Sequence, residues 1–374
     1  MNTTSISMCL FLMLTLSACG PGSPSFSIMP TNQVFKQAPG FFNNQLDILF
    51  VIDSSGSMGE EQVNLASNFS AFINDFQTKG YDFKIAVIGT DAYLANSQLS
   101  GYNSANSSVA KFRDRAIKTS SGVYQAISND SICGNPAAPF TNVFVITPST
   151  PNLSSVFSIN AKQCIRGNGD ERAFSSFMTA LNSPLNAGFL RPQSFLAVII
   201  VSDEDDFSGY NRPAEPGGDN PHDYSHPDID PVNNYVTQLD TLTNSTSSFK
   251  RYNVSNISRL DENCGGHREI QYPSRYMQLS TLTNGISGSI CDPNFSTSLN
   301  LIQKNIAELS TQFYLDRTPQ VDTIVVTVNG VKIAQDPVNG WTHNATINSI
   351  VFHGASIPPQ GAAISISFVP ATVK

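Results

Sequence analysis

Three oxygen-bearing side chains at alternate positions, Asp53, Ser55 and Ser57, form a candidate chemical site in this sequence. Alternate spacing can turn three oxygens toward one point, and Gly56 and Gly59 let the loop bend without a side-chain penalty. Hard oxygen ligands suit Mg²⁺, and also Mn²⁺ or Ca²⁺, better than they suit zinc. The spacing therefore predicts a divalent-cation site that is centred on Asp53.

The elements around these residues predict where the site lies. Residues 46–52 read LDILFVI, and the apolar, β-branched stretch 48–52 is typical of a strand buried on both faces of a parallel sheet. Apolar residues then recur at helical spacing, at Val63, Ala66, Phe69, Phe72, Ile73 and Phe76. Ligands bind at the carboxyl ends of strands in open α/β sheets, so Asp53 is expected at the binding edge. The alternative is a plain turn in which Asp53 or a serine caps the helix.

The D-x-S-x-S stretch, which ends a hydrophobic strand and opens a helix, resembles the metal-ion-dependent adhesion site of von Willebrand factor type A domains. The resemblance covers residues 46–311. It implies a doubly wound, mostly parallel α/β sheet, and a metal whose open coordination position takes an acidic group of a partner. It also implies that Asp203, directly after the apolar run 195–202, completes the site.

One position departs from the family pattern. Type A domains usually supply a threonine at the start of a helix, whereas this chain has Glu171 there, with Asp170 as the alternative ligand. A carboxylate would partly satisfy the ion and so reduce its demand for an external acid. An equally open alternative is that both acids only favour the amino terminus of the helix.

Acidic residues continue beyond Asp203. Four acids in a row at the edge of a buried sheet repel one another unless a cation or solvent intervenes, and we expect Asp205 and Asp206 to lie in a solvated loop. The Gly- and Pro-rich insertion 208–231 contains residues that could form a second metal site: His222, Asp223, His226, Asp228 and Asp230. Their spacing matches no motif, and an ordinary acidic loop is favoured.

Composition limits the classes of function. The 374 residues leave room for one large domain and a smaller one, and the net charge of −8 with 13% charged residues excludes a basic nucleic-acid-binding face. Alternating strand and helix patterns over 46–311 predict the doubly wound sheet, including a short strand at 142–147. Period-two patterns over 312–374, with a hairpin at Asn329-Gly330, predict a small antiparallel β-domain in which Trp341 packs.

The amino terminus predicts export. Residues 1–18 contain an apolar core that is too short to span a membrane, and they read as a signal peptide. Residues 16–19 (LSAC) resemble the lipobox of bacterial lipoproteins, which is cut before a cysteine, here Cys19, that then carries the lipid. The signal region lacks Lys and Arg, which departs from the usual pattern. Gly20 favours the outer membrane, with a periplasmic or surface-facing domain, and residues 19–45 are expected to form a tether.

Four cysteines remain in the exported chain: Cys133, Cys164, Cys264 and Cys291. An even number in an oxidising compartment predicts two disulfides, for which three connectivities exist. Pairing of sequence neighbours would close two loops of roughly 30 residues, worth about 3–4 kcal/mol each in the chain-entropy model.

These observations predict a lipid-anchored binding or adhesion protein of the bacterial envelope, rather than an enzyme. Its partner would be a protein or another cell-surface component bound through the metal. One alternative is a structural envelope scaffold in which the metal only stiffens loops. Another is a serine hydrolase that uses Ser55 or Ser57 with a histidine, although the sequence has no G-x-S-x-G elbow.

Overall fold

The computed structural model describes residues 34–36, 40–41, 44–99, 101–102, 104–113, 117–118, 124–125, 141–163, 165, 167, 171–209, 227–246, 250–264, 272, 274–359 and 361–371. Several residues discussed above lie outside these ranges: Cys19, Cys133, Cys164, Asp170, His222, Asp223 and His226. Within the ranges, none of the helices combines the length and the apolar character needed to cross a membrane.

The strands, numbered along the chain, are β1 (Phe35–Lys36), β2 (Gly40–Phe41), β3 (Gln45–Ile52), β4 (Asp82–Gly89), β5 (Ile117–Lys118), β6 (Tyr124–Gln125), β7 (Phe195–Val201), β8 (Tyr252–Ser258), β9 (Ser287–Ser289), β10 (Phe313–Tyr314), β11 (Val325–Val328), β12 (Val331–Ile333), β13 (Trp341–Asn344), β14 (Ser349–Phe352) and β15 (Ala363–Phe368). The α-helices are α1 (Gly59–Thr78), α2 (Leu153–Asn160), α3 (Ala173–Asn182), α4 (Val232–Thr243), α5 (Arg275–Leu282) and α6 (Ser296–Ser310).

A five-stranded parallel sheet organises the larger part of the described chain. Its strand order is β4-β3-β7-β8-β9, and every neighbouring pair in it is parallel. The next strand along the chain, β4, lies on one side of β3, and the later strands lie on the other side. The crevice beyond the carboxyl ends of β3 and β7 is therefore the topological switch point, where ligands bind in such sheets. The pairing of Ile52 with Val201 brings the residues that follow these two strands to the same edge.

Helices cover both faces of this sheet, so the predicted mixed α/β class with a parallel sheet is present. Alternate residues of β3 face opposite sides: Phe50 packs with the core formed by α1, α2 and α6, and Val51 packs with the core formed by α3, α4 and α5. A stack of Phe69 on Phe157, with ring centroids 3.6 Å apart, joins α1 to α2. Burial on both faces explains why β3 is apolar without alternation.

Two elements beside the sheet differ from the sequence predictions. The strand expected at 142–147 is reduced to one antiparallel bridge, in which Ile85 and Ile146 exchange both backbone hydrogen bonds at 2.8 Å. The helix α2 was not predicted, because its eight residues are too few to establish a clear helical period.

The chain ends in two antiparallel sheets that enclose a separate core. One has the order β1-β15-β11-β12, with β2 also paired to β15, and the other has the order β10-β14-β13. The predicted hairpin joins β11 to β12, and the positive φ angles of Asn329 (50°) and Gly330 (81°) are those of a type I′ turn. Trp341 is buried in this core and donates its indole N–H to Ile333 O at 3.0 Å.

Residues that the sequence analysis placed in the tether take part in this β-domain. Strand β1 pairs Phe35 with Phe368, and β2 pairs Phe41 with Ala363, so both lie antiparallel to β15. The chain then enters β3 at Gln45, the amino end of that strand. The β-domain is thus continuous with the amino edge of the parallel sheet, and the candidate site follows the other end of β3.

The structure contains a disulfide between Cys264 and Cys291, which is one of the two predicted pairs of neighbours. It ties the segment after β8 to the segment after β9, at the carboxyl edge of the parallel sheet. A closed loop of this size is worth about 3–4 kcal/mol in the chain-entropy model.

A buried ion pair fixes the amino end of β3. The Asp47 carboxylate accepts hydrogen bonds from Arg191 N (2.7 Å), Arg191 Nε (2.8 Å) and Ser194 Oγ (2.5 Å). Arg191 also reaches the half-exposed Asp82 at 2.7 Å. Burial raises the pKa of Asp47, whereas these hydrogen bonds and the charge of Arg191 oppose the shift. The turn before β7 is therefore attached to β3 by charge-assisted contacts.

We predict that Asp47→Ala lowers the free energy of unfolding by about 3–5 kcal/mol, because it leaves the Arg191 guanidinium without its buried partner. Asp82→Ala is the matched control: it removes the exposed partner of the same arginine and should cost less than about 1 kcal/mol. Urea unfolding of both variants measures the difference. Equal losses in the two variants would show that burial of the Asp47 pair contributes nothing extra.

Candidate metal centre

Asp53 lies directly after β3 with its carboxylate completely buried. Its backbone N–H donates to Val201 O at 3.0 Å, which continues the pairing of β3 with β7 by one residue. Its carboxylate accepts hydrogen bonds from Ser55 N at 2.6 Å and from Ser202 Oγ at 2.7 Å. Two neighbouring strands therefore hold this side chain at the carboxyl edge of the sheet.

The two serines of the motif lie next to it. Ser55 is buried, Ser57 is exposed, and their hydroxyl oxygens are 3.2 Å apart. The helix α1 begins only at Gly59, and its N-cap residue, Met58, makes no side-chain capping hydrogen bond. Among the described residues, Asp53, Ser55 and Ser57 thus make no capping hydrogen bond to the helix, and the bond from Ser55 N to the Asp53 carboxylate is a local turn.

Glu171 is buried at the same edge, two residues before α3 begins at Ala173. Burial raises its pKa well above the usual range, and the negative charges of Asp53, Glu204 and Asp91 raise it further. Within the described part of the chain, its Oε1 atom has no hydrogen-bond partner. The first turn of α3 contains no acidic residue, and Glu171 immediately precedes the N-cap residue, Arg172.

A close backbone approach brings this segment over the Asp53 loop. Gly167 N–H donates to Ser54 O at 2.6 Å, and a Cβ atom at position 167 would lie 2.3 Å from Ser54 Oγ. Only glycine fits at this distance. Gly167 is therefore held against the loop that carries the motif.

Asp203 follows β7 and adds a further carboxylate. It is half-buried, and its Oδ1 atom is buried with no hydrogen-bond partner among the described residues. Burial raises the pKa of Asp53 to about 7, and the negative charge of Asp203 contributes to this shift. No basic side chain is among the causes of this shift in the pKa of Asp53.

The structure adds one acid that the sequence analysis missed. Glu61, in the first turn of α1, has a buried Oε2 atom without a hydrogen-bond partner in the described ranges. Partial burial raises its pKa, and so does the negative charge of Asp203. Its place two residues into α1, just after the serine loop, was the available sequence indication, but acids are common in the first turn of helices.

The expectation of a solvated loop for Asp205 and Asp206 is wrong. Both are fully buried. Asp205 accepts from Arg275 N at 2.9 Å, at the start of α5, and Asp206 accepts from Phe174 N at 3.0 Å, at the start of α3. Asp206 also pairs with the Arg275 guanidinium at 3.2 Å. These two acids attach helices to the end of β7 and are not free to bind a cation.

The donor set left at this edge fits a hard divalent cation. The carboxylates of Asp53, Glu171 and Asp203 and the hydroxyls of Ser55 and Ser57 are oxygen ligands of the type that Mg²⁺ binds. The described residues contain no group of three or more His, Cys, Asp and Glu side chains placed to hold a metal by themselves. Hydroxyls and water would have to complete the coordination, and Mg²⁺ commonly keeps several waters.

The hydrolase alternative has no support within the described residues. His343 and His353 lie in or next to the strands of the β-domain, where they contact Asn348 at 3.3 Å and Glu308 at 3.1 Å. Neither is at the carboxyl edge of the parallel sheet, so neither could act as a base for Ser55.

No protein-family model matches the chain, and no curated protein matches it. It is similar to solved structures that include two pilus adhesins. For SpaC from Lactobacillus rhamnosus GG in its open conformation, the TM-score is 0.38 at 13% identity, over 88% of this chain and 39% of that chain. For RrgA from Streptococcus pneumoniae, the TM-score is 0.32 at 8% identity, over 90% and 58%.

The human COPII-coat protein Sec24c is similar to a comparable degree, with a TM-score of 0.31 at 10% identity, over 90% of this chain and 40% of that chain. The chain therefore spans 39% to 58% of the lengths of these three proteins. Scores of this size assign neither a family nor an activity.

We predict that, in EDTA, Glu171→Gln raises the free energy of unfolding by about 1–3 kcal/mol, because a neutral amide replaces a buried carboxylate that faces other acids. The matched comparison is Asp206→Asn, which removes a charge paired with Arg275 and should destabilise the protein by about 3–5 kcal/mol. Urea unfolding in EDTA measures both. A loss of stability in Glu171→Gln similar to that in Asp206→Asn would contradict the prediction.

Proposed function

We propose that this protein binds a partner at the carboxyl edge of its parallel sheet through a divalent cation, in the manner of the adhesion site of von Willebrand factor type A domains. One observation carries the proposal: Glu171 and Asp203 each have a buried carboxylate oxygen with no hydrogen-bond partner among the described residues. Both also act electrostatically on Asp53. Uncompensated buried acids are costly unless a cation joins them.

The ligands proposed for the cation are Asp53, Ser55, Ser57, Asp203 and Glu171. Mg²⁺ is the proposed ion, with Mn²⁺ or Ca²⁺ able to bind the same oxygen set. When bound, the ion acts as a Lewis acid that accepts an acidic oxygen from a partner. The chain's own residues hold the ligands in place: Ser202 fixes the Asp53 carboxylate, and Gly167 allows the segment before Glu171 to approach the loop.

Glu171 distinguishes this site from the family pattern, in which a neutral threonine occupies the corresponding place. A third carboxylate would strengthen binding of the cation and weaken the attraction of the bound cation for a carboxylate of the partner. We therefore propose that this chain binds its metal more tightly, and its acidic ligand more weakly, than a version with threonine at position 171.

Isothermal titration calorimetry with MgCl₂ and MnCl₂ tests the ligand set. We expect Asp53→Ala to abolish binding of both ions and Glu171→Thr to weaken it by about tenfold, equivalent to about 1.4 kcal/mol. Asp82→Ala, at the opposite edge of the sheet, should bind like the wild type. Wild-type affinity in Asp53→Ala would refute the cation site as a whole, and wild-type affinity in Glu171→Thr would remove Glu171 from the ligand set.

The same samples also test whether the bound cation has an open coordination position. Acetate serves as a stand-in for an acidic side chain, and relaxation of its methyl protons by protein-bound Mn²⁺ reports direct coordination. We expect stronger relaxation with Glu171→Thr than with the wild type. Tight Mn²⁺ binding with no acetate relaxation in either protein would favour the structural scaffold, in which the ion only stiffens the loops.

We further propose that Cys19 anchors the protein in the bacterial envelope, as the lipobox-like residues 16–19 suggest. Downstream of the proposed anchor, strands β1 and β2 pair with β15, and the chain continues into the amino end of β3. The eight residues of β3 span about 26 Å, so the chain enters this strand at the end that is remote from the proposed cation ligand Asp53.

Fractionation tests the anchor. We expect Cys19→Ser to move the protein from the membrane fraction to the soluble fraction, because removal of the modified cysteine removes the acyl chains that hold it. Cys264→Ser, which removes a disulfide-bonded cysteine elsewhere in the chain, should leave the protein with the membranes. Retention of Cys19→Ser in salt-washed membranes would show that another part of the chain provides the anchor.

A further inference from the structure

A cavity of about 730 Å³ lies on the α3 and α4 side of the parallel sheet, and it is separate from the candidate metal centre. Its walls come from α3, from α4 and from two loop segments at 95–99 and 107–110. The volume is within the range of about 300–1,000 Å³ that is typical of small-molecule sites. None of the five proposed metal ligands lines it.

The lining is polar but almost uncharged. Hydroxyl and amide side chains form much of it, at Ser97, Gln98, Thr179, Asn182 and Gln238. Among the described residues of the lining, Asp230 is the one that carries a charge, and none is Lys, Arg or His. Side chains of this kind supply both hydrogen-bond donors and hydrogen-bond acceptors without attracting an ion.

The inner wall is held in place by a chain of hydrogen bonds. Ser175 Oγ lies 3.3 Å from Tyr235 OH, and Tyr235 OH donates to Asp230 Oδ2 at 3.1 Å. Ser175 N–H donates to Ser208 Oγ at 2.9 Å. The Asp230 carboxylate thus already accepts a hydrogen bond from Tyr235, so these two side chains are held in place before a ligand binds.

Apolar groups complete the walls. Leu99, Met178, Pro184 and Leu185 line the cavity beside the amides and hydroxyls, and Leu185 is half exposed. A ligand that fits this surface has an uncharged ring whose C–H faces can meet the apolar groups while its edges donate and accept hydrogen bonds. Pyranose sugars have this combination.

We propose that this cavity binds a neutral saccharide ring. The described residues of the lining include no basic side chain, which disfavours phosphates, sulfates and acidic sugars, because their charge would lose water without gaining a counter-ion. A cationic ligand is disfavoured since Asp230 is the single acid and Tyr235 OH already donates to it. None of the proposed metal ligands lines the cavity, so we expect saccharide binding to be independent of the cation.

Saturation-transfer difference NMR on the full chain in EDTA tests the inference. The probes are the methyl α- and β-pyranosides of glucose, galactose, mannose, N-acetylglucosamine and N-acetylgalactosamine, at millimolar concentration. We expect saturation transfer to at least one of them. Gln98→Ala and Gln238→Ala, which remove exposed amides at the mouth, should each weaken binding by about tenfold.

Two further variants provide the controls. Asn234→Ala changes an exposed amide on α4 that does not line the cavity, and it should bind like the wild type. Ser108→Trp places a large ring at the exposed mouth and should abolish saturation transfer, while an unchanged ¹⁵N–¹H correlation spectrum away from the cavity shows that the protein is folded.

Three results would overturn the proposal: no saturation transfer to any neutral methyl pyranoside or to any of the corresponding free sugars, transfer that persists in Ser108→Trp, or tighter binding of methyl glucuronide or glucosamine than of every neutral probe. A comparison with the free reducing sugars distinguishes the two sources of the ligand. Equal binding of a methyl glycoside and its free sugar indicates the terminal residue of a glycan, and loss of binding on methylation indicates a free sugar. Because the measurement is made in EDTA, its failure leaves the cation site untouched.

Discussion

The like-charge repulsion among carboxylates at the carboxyl edge of the parallel sheet is the interaction on which the candidate site depends. Two buried aspartates, one near each end of β3, differ in how their charge is compensated. Asp47, at the amino end, is paired with Arg191 and Ser194. Asp53, beyond the other end, has serine partners but also the repulsion of Asp203, and burial with this repulsion raises its pKa to about 7. The carboxylate at one end of the strand is thus paired with a cationic side chain, whereas the carboxylate beyond the other end is repelled by a neighbouring acid.

The acids after β7 divide in the same way. Asp206 pairs with the Arg275 guanidinium and accepts from Phe174 N at the start of α3, and Asp205 accepts the backbone N–H of Arg275, so both stabilise the attachment of helices to the sheet. Asp203 lies only two residues earlier and has a buried oxygen that no described group satisfies. Within these four consecutive acids, Asp205 and Asp206 therefore hold the fold, and Asp203 is one of the ligands that we propose for the cation. A site that keeps uncompensated charge lowers the stability of the metal-free protein, as functional sites often do.

Local patterns in the sequence were sufficient for the parts of the molecule in which neighbours along the chain determine the structure. The buried strands, the spacing of Asp53, Ser55 and Ser57, and the turn at Asn329-Gly330 all depend on residues within one element. The parts that were missed depend on distant partners. The burial of Asp205 and Asp206 requires Arg275, about 70 residues later, and the pairing of Phe35 with Phe368 joins the two ends of the chain. Glu61 was missed because its contact with the charge of Asp203 crosses from α1 to the end of β7.

The arrangement of the two candidate binding sites follows from the direction of the strands. Parallel strands place all their carboxyl ends at one edge, so the direction of β3 and β7 alone brings the loop of Asp53 and the loop of Asp203 together there. The cavity beside α3 borders the same edge, because Asp230 precedes α4 and the hydrogen-bonded Ser208 follows the acids after β7. The β-domain lies at the opposite edge, where Lys79 Nζ, just beyond α1, donates to Gly354 O at 3.4 Å and Glu308 of α6 contacts His353. The β-domain thus contacts the ends of α1 and α6 that are remote from the proposed cation site. A partner bound at that site would not displace the β-domain.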